Sequence, residues 1–422
     1  MIETVEKHTL LAAKHPMDAV YEVLAALYIR RQAKQLGKQL PGVCHAEDTE
    51  YIHRARVASR RLRAALRVFG DCFGKRTLQR WRRHIRRLAR QLGDARDADV
   101  QIQFLCGFLS QPLEPSVCRG LSRLLAELER RRERLQPRVA RAVKVLRRSG
   151  VLEEMLSRTK KVLDRANNAD ADGATPEALV QFARHIRIRL DEFLALQDSL
   201  QEPDDAERLH SLRIAAKRLR YTLEIARSAN QGNLQPFIEA AKGLQTLLGE
   251  IHDCDVWQAE LESFQAAQRK RMLRIYGSDR PMAQIEPGIE LLRQDRCRRR
   301  QELVQQVTAF WQQLEQQGTW QALLKLLEEL SSLPAAVPVD TETSTARVVA
   351  PADDEASVCQ PAVCDSIEPN GAKGLKVRGD GGRQLPPEST LAEAAAAAKH
   401  QAQDLMPPHA RRKRAAAVNS AN

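Results

Sequence analysis

His53-Arg54-Ala55-Arg56-Val57-Ala58-Ser59-Arg60-Arg61-Leu62-Arg63 is written again 157 residues later as His210-Ser211-Leu212-Arg213-Ile214-Ala215-Ala216-Lys217-Arg218-Leu219-Arg220. Six of the eleven positions are identical, and Val57/Ile214, Ser59/Ala216 and Arg60/Lys217 are close exchanges. Wound at about 100° per residue, the first copy gathers His53, Arg56, Arg60, Arg63 and Arg67 into a sector of about 80°. Ala55, Ala58, Ser59, Leu62, Leu66 and Phe69 fall on the opposite side. In the second copy His210, Arg213, Lys217 and Arg220 form the polar row, and Leu212, Ala215, Ala216, Leu219 and Leu223 the apolar one. Each stretch reads as a helix that buries one face and presents a row of cations headed by a histidine.

A second motif follows each copy. Gly93, Asp97, Asp99 and Val100 are matched by Gly249, Asp253, Asp255 and Val256, 156 residues on. In that register Lys242 stands opposite Arg86 and His252 opposite Arg96. Around these landmarks, Pro16 is expected to open a first helix towards Lys34, and 38–49, with Pro41-Gly42, to form a loop. A third helix from Thr77 to Leu92 carries six arginines, including Arg86 and Arg90, and Gly93 is expected to interrupt it. Residues 116–168 read as long amphipathic helix with a break at Pro137 or near Gly150. Thr175-Pro176-Glu177 is a helix start, with Thr175 as cap and Pro176 in the first turn. Trp311 and Trp320 are expected to pack on the core.

No stretch up to residue 333 alternates with period two for long enough to call a sheet. The fold expected is all-α: two tandem, pseudo-symmetric four-helix units over 16–170 and 171–333, after a lead-in at 1–15. A Pro/Ala-rich tail, 334–422, is expected to be disordered apart from a transient Ala-rich helix, and ends near the basic cluster Arg411–Arg414.

The net charge is +13. The tail holds ten Lys or Arg against eleven Asp or Glu, so the surplus belongs to the helical part. That balance predicts an anionic partner: polyphosphate, nucleic acid or an acidic membrane surface. Aromatic residues are only 4% of the chain, which argues against base-stacking platforms. The eight cysteines form no CxxC pair, so neither a disulfide framework nor a zinc site is expected. No run reaches the length of a membrane span and no signal peptide is evident, which reads as a soluble cytoplasmic protein.

A solvated helix face usually interleaves both signs of charge. Arg56, Arg60 and Arg63 have no acidic neighbour on their own face, and such a row favours an anion that relieves the repulsion. His53 and His210 read as phosphate contacts or as structural donors; a nucleophilic role needs a metal or acid that no sequence feature supplies. Asp97, Asp99, Asp253 and Asp255 read as caps or as partners that orient the stripe arginines, with Mg²⁺ mediation as the alternative.

The pattern His-x-x-Arg-x-x-x-Arg/Lys-Arg-Leu-Arg, followed by Leu-Gly-x-x-Arg/His-Asp-x-Asp-Val, resembles the CHAD domain, the conserved histidine α-helical domain. Both copies match over residues 16–330, and Tyr221 follows the second copy as it often does in that family. The resemblance implies a two-fold pseudo-symmetric helical bundle that binds inorganic polyphosphate on basic surfaces. Some family members are fused to a CYTH triphosphatase domain. The start near Pro16 is expected to leave no room for one, and Glu3-Thr4-Val5-Glu6-Lys7 has the wrong spacing for its signature, so that activity is not carried over.

A linear polyphosphate has no bases to read and needs only a track of donors, and residues four apart on a helix rise about 6 Å. The expected polyphosphate contacts are His53, Arg56, Arg60, Arg63, Arg67, Arg86, Arg90, His210, Arg213, Lys217, Arg220 and Lys242. Arg96, Asp97, Asp99, His252, Asp253, Asp255 and Tyr221 are expected to orient them. No catalytic residue, metal or cofactor is assigned. The expectation is a non-enzymatic polyphosphate binder at polyphosphate granules, with a protein or granule partner for the tail. An enzyme or enzyme subunit of polyphosphate or triphosphate metabolism, and a non-specific nucleic-acid binder, are the alternatives. Glu224 stands where the first copy has Arg67, so the first stripe should be the stronger half.

Overall fold

The computed structural model describes residues 18–46, 48–166, 175–228 and 234–332. The lead-in with Pro16, the linker at 167–173 and the tail 334–422 lie outside the described residues. Ten α-helices follow in order: α1 (Ala19–His45), α2 (Thr49–Val68), α3 (Lys75–Leu109), α4 (Pro115–Arg148), α5 (Val151–Ala166), α6 (Pro176–Leu194), α7 (Ala206–Arg227), α8 (Gln235–Tyr276), α9 (Glu286–Gln316) and α10 (Thr319–Ser331). No strand occurs among the described residues, and the class is all-α.

Helices α1 and α6 start side by side. Asp18 caps α1 by accepting from the Val20 N–H at 3.0 Å, and Thr175 caps α6 by accepting from the Ala178 N–H at 3.2 Å. The Thr175 hydroxyl also donates to Asp18, so two caps 157 residues apart hold each other. The first described helix thus starts behind Asp18.

Three expectations change. The Pro41-Gly42 segment is helix rather than loop, because α1 runs on to His45. Gly42 lets the Tyr51 ring lie on the helix there, where a Cβ would fall 2.4 Å from Tyr51 Cγ. Gln136 of α4 donates to the Val43 carbonyl at 2.9 Å, satisfying one of the last-turn acceptors. Gly93 does not interrupt α3, which is continuous from Lys75 to Leu109. Pro137 lies inside α4, and the break after it comes at Gly150, whose φ of +63° an L side chain rarely adopts. That break makes α4 and α5 two helices, so each side of residue 170 holds five helices rather than four among the described residues.

The main core lies among α1, α2, α5, α6, α7, α10 and the adjoining halves of α3, α4, α8 and α9, with Tyr21, Phe69 and Phe182 ring to ring at 5.1–5.9 Å. Trp311 and Trp320 are buried in it against Phe193. The outer halves of α3, α4, α8 and α9 enclose a second core built on Leu105, Leu121, Leu128, Trp257, Phe264 and Ile289. Here α4 and α9 touch backbone to backbone: a Cβ on Gly120 would lie 2.2 Å from the Ile285 carbonyl oxygen, and one on Gly288 2.2 Å from that of Val117. The six cysteines among the described residues are free thiols.

Candidate anion-binding site

The two histidine–arginine stretches are α2 and α7, and these helices pack against each other. Their apolar rows are buried as the periodicity requires: Ala55, Ala58, Ser59, Leu62 and Leu66 on α2, and Leu212, Ala215, Ala216, Leu219 and Leu223 on α7. Asp48 caps α2 and Asp205 caps α7, each accepting backbone N–H groups of the first turn. With both inner faces fixed by packing, the polar rows are left at the edge of the crossing and converge there.

Lys217 sits at the meeting point. Burial first, and then repulsion from Arg213, Arg60, Arg56 and Arg63, pushes its ammonium down to about 7. Arg60 is half-buried, its Nε has no hydrogen-bond partner among the described residues, and its guanidinium lies 5.2 Å from the Tyr221 ring centroid. Arg220 lies 4.8 Å from the same ring and donates to the Tyr221 hydroxyl at 3.1 Å. Burial and then mutual repulsion also depress Arg60, Arg63 and Arg67, although guanidinium stays charged. Arg86 of α3 joins the row beside Arg63.

The Gly/Asp motifs lie on α3 and α8 facing these rows. A Cβ on Gly93 would touch Arg56 Nη1 at 3.6 Å, and one on Gly249 would touch Arg213 Nε at 3.7 Å. The first arginine of each stripe thus lies beside the glycine of the facing helix, at ordinary contact distance. Arg56 Nη2 reaches Asp97 Oδ1 at 3.4 Å. Asp253 stands near Arg213 in the corresponding place. Asp253 is pushed up to about 6, chiefly by burial and further by Asp97 and Glu250, with Arg213 opposing. Asp97 is raised too, again by burial first.

Asp99 and Asp255 do not meet the stripes, contrary to expectation. Two residues on from Asp97 and Asp253, they point to another side of the helix. Asp99 pairs with Arg132 of α4 at 2.5 Å, and Asp255 with Arg300 of α9 at 2.6 Å. They fasten the helices that carry the motif.

The histidines differ between the halves. His210 Nδ1 lies 3.2 Å from His252 Nδ1, with ring centroids 4.3 Å apart. Burial and then Arg213 depress both rings, His252 to about 4. His53 has Arg96 beside it where His210 has His252, and burial and then Arg96 depress it.

Lys242 is not drawn into the cluster: it is exposed and pairs with Glu239 of its own helix at 3.3 Å. Arg90 is exposed on α3, one turn beyond Arg86. Three arginines that the sequence reading missed, Arg218, Arg189 and Arg82, surround Arg67. Arg218 lies inside the repeated stretch but off its stripe, and only the crossing of α7 over α2 brings it to Arg67. Among the described residues no helix is long and apolar enough to cross a membrane, and no three His, Cys, Asp or Glu side chains are placed to hold a metal ion.

The CHAD domain family model matches residues 27–262, more than half of the chain and narrower than the span read from the motifs. The chain belongs to the CHAD domain family, which is associated with polyphosphate binding in general. Two uncharacterized proteins of Mycobacterium tuberculosis, from strains CDC 1551 and H37Rv, are each 28% identical over 216 residues, 51% of this chain. The aligned region spans 40% of the length of those relatives. The crystal structure of the CHAD domain from the plant Ricinus communis is similar at 24% identity and a TM-score of 0.46, covering 75% of this chain and 94% of that one. PptA from Streptomyces chartreusis is similar at 19% identity and a TM-score of 0.44, covering 69% and 99%.

Proposed function

We propose that this chain is a non-enzymatic binder of inorganic polyphosphate, working in the cytoplasm at polyphosphate granules. The observation that carries the reading is the convergence of Arg56, Arg60, Arg63 and Arg213 around Lys217. Five cations crowded together, with only Asp97 and Asp253 beside them, leave a local positive surplus that a polyanion relieves. Guanidinium forks suit it, because each can donate two hydrogen bonds to neighbouring phosphate oxygens.

The site's aromatic residue favours polyphosphate over nucleic acid. Tyr221 is buried and engaged by Arg60 and Arg220, so its ring is not free to stack on a base. The site is a set of donors without a base-reading element.

The test is binding of length-defined polyphosphate competed by duplex DNA at equal phosphate concentration. Polyphosphate is expected to win; if DNA wins, the chain is a nucleic-acid binder. Release of orthophosphate on incubation with Mg²⁺ would make it an enzyme instead.

A further inference from the structure

Several matched places differ between the two halves of the site, and each replaces an arginine of the first half. Where the first half has Arg60, Arg96 and Arg67, the second has Lys217, His252 and Glu224. Arginine keeps its charge at any working pH, whereas lysine and histidine change theirs when surroundings demand it.

The fold brings two of these exchanged residues to one place with His210. The Nδ1 atoms of His210 and His252 are 3.2 Å apart, so in the neutral pair one ring donates its N–H to the other. Arg213, Lys217 and Glu207 of α7 face His210, and Arg213 and Lys217 also face His252. Lys217 faces Arg213 on its own helix and Arg56, Arg60 and Arg63 on α2. Asp253 of α8 and Asp97 of α3 face Arg213 in turn. In these surroundings burial and repulsion both keep protons off the imidazoles and the amine. A polyanion against Arg213 reverses the local potential and removes that repulsion. The half built on Arg56, Arg60 and Arg96 carries its charge beforehand.

We propose that His210, His252, Lys217 and Arg213 form a proton-coupled phosphate subsite, which takes protons from solvent onto the histidine pair and the lysine amine as polyphosphate binds, while the first half binds with fixed charge. The proposal rests on the polyphosphate reading above. It moves His252 from an orienting residue to a ligand contact. Each proton comes from a buffer acid, which is left as its conjugate base, and no other bond changes. Binding therefore strengthens as pH falls, by about tenfold per pH unit at most for each proton taken up.

The experiment is calorimetric titration of the full chain at pH 7 with long-chain polyphosphate, whose titrating ends are a negligible fraction. Two buffers with different heats of ionisation give the protons taken up. The wild type is expected to take up about one proton or more per chain. The double variant Lys217→Arg with His252→Arg copies the first half's own residues. It is expected to bind still, with uptake lower by about one proton. Equal uptake in the two proteins overturns the proposal, since the protons then belong to Asp97 and Asp253, which both halves share. Should the variant not fold, NMR titration of His210 and His252 in the wild type decides the matter. Both must titrate at higher pH with polyphosphate present, and unmoved titrations overturn the subsite. A wild type that binds no polyphosphate at any pH removes the underlying reading instead.

Discussion

Arg67 on α2 lies beside Arg218 on α7, cation against cation, whereas Glu224, the residue 157 positions after Arg67, lies 3.2 Å from Arg220 Nε. Arg218 and Arg189 beside Arg67 share the single carboxylate of Glu192, 3.7 Å from Arg218, so that end keeps a cationic surplus without an anion, whereas the other end is internally neutralised. Arg67→Glu should therefore weaken polyphosphate binding about tenfold, and Glu224→Arg should strengthen it about threefold. Affinities of the two variants measured side by side at one salt concentration check this; opposite signs are expected.

Arg56 and Arg213 are the two arginines seated against Gly93 and Gly249. Arg56→Glu with Arg213→Glu should lower polyphosphate affinity by more than tenfold while leaving the helical circular dichroism unchanged. The slope of log affinity against log salt should also fall, by about one or more, as phosphate contacts are lost. Unchanged affinity in a folded double variant would place the site elsewhere.

Lys217 makes stability depend on pH in a definite direction. Its folded pKa is lowered from 10.5 to about 7, chiefly by burial, so the unfolded chain binds more protons between those values. Its contribution is present above the unfolded value and is lost as pH falls through the folded one. Lys217→Met should therefore raise the melting temperature of the ligand-free protein at pH 7 and flatten its decline from pH 10 to pH 7. The same variant should bind polyphosphate more weakly, and thermal melts with and without polyphosphate separate the two effects.

Asp99 and Arg132 form a mostly buried pair that ties α3 to α4. Removing one partner leaves the other charge unpaired out of water, so Asp99→Ala should cost about 3 kcal/mol in denaturant unfolding. Polyphosphate affinity of the folded fraction should change little, because Asp99 does not face the stripes.

Gly288 is held against the Val117 backbone, and a Cβ there would meet a carbonyl oxygen at 2.2 Å. Gly288→Ala should lower the melting temperature by separating α4 from α9, although alanine ordinarily favours a helix interior by about 1 kcal/mol over glycine. A melting temperature that rises instead would show that the crossing yields freely.

The sequence by itself determined that the chain is helical, that two stretches repeat, and which face of each repeat is buried. These follow from local periodicity, which fixes direction around a helix whatever the neighbours are. It also placed the caps at Thr175 and the row Arg56, Arg60 and Arg63 on one side of α2. Local reading overstated its breakers: Pro41 and Gly93 sit inside the continuous helices α1 and α3. Only the tertiary structure decided which cations meet. The crossing of α2 and α7 brought Lys217 among four arginines and Arg218 to Arg67, while Lys242 was left in solvent. It also set His210 on His252 and turned Asp99 and Asp255 to Arg132 and Arg300. The physical reason is that charge interactions depend on distances through space, which a helical register does not contain until two helices are packed.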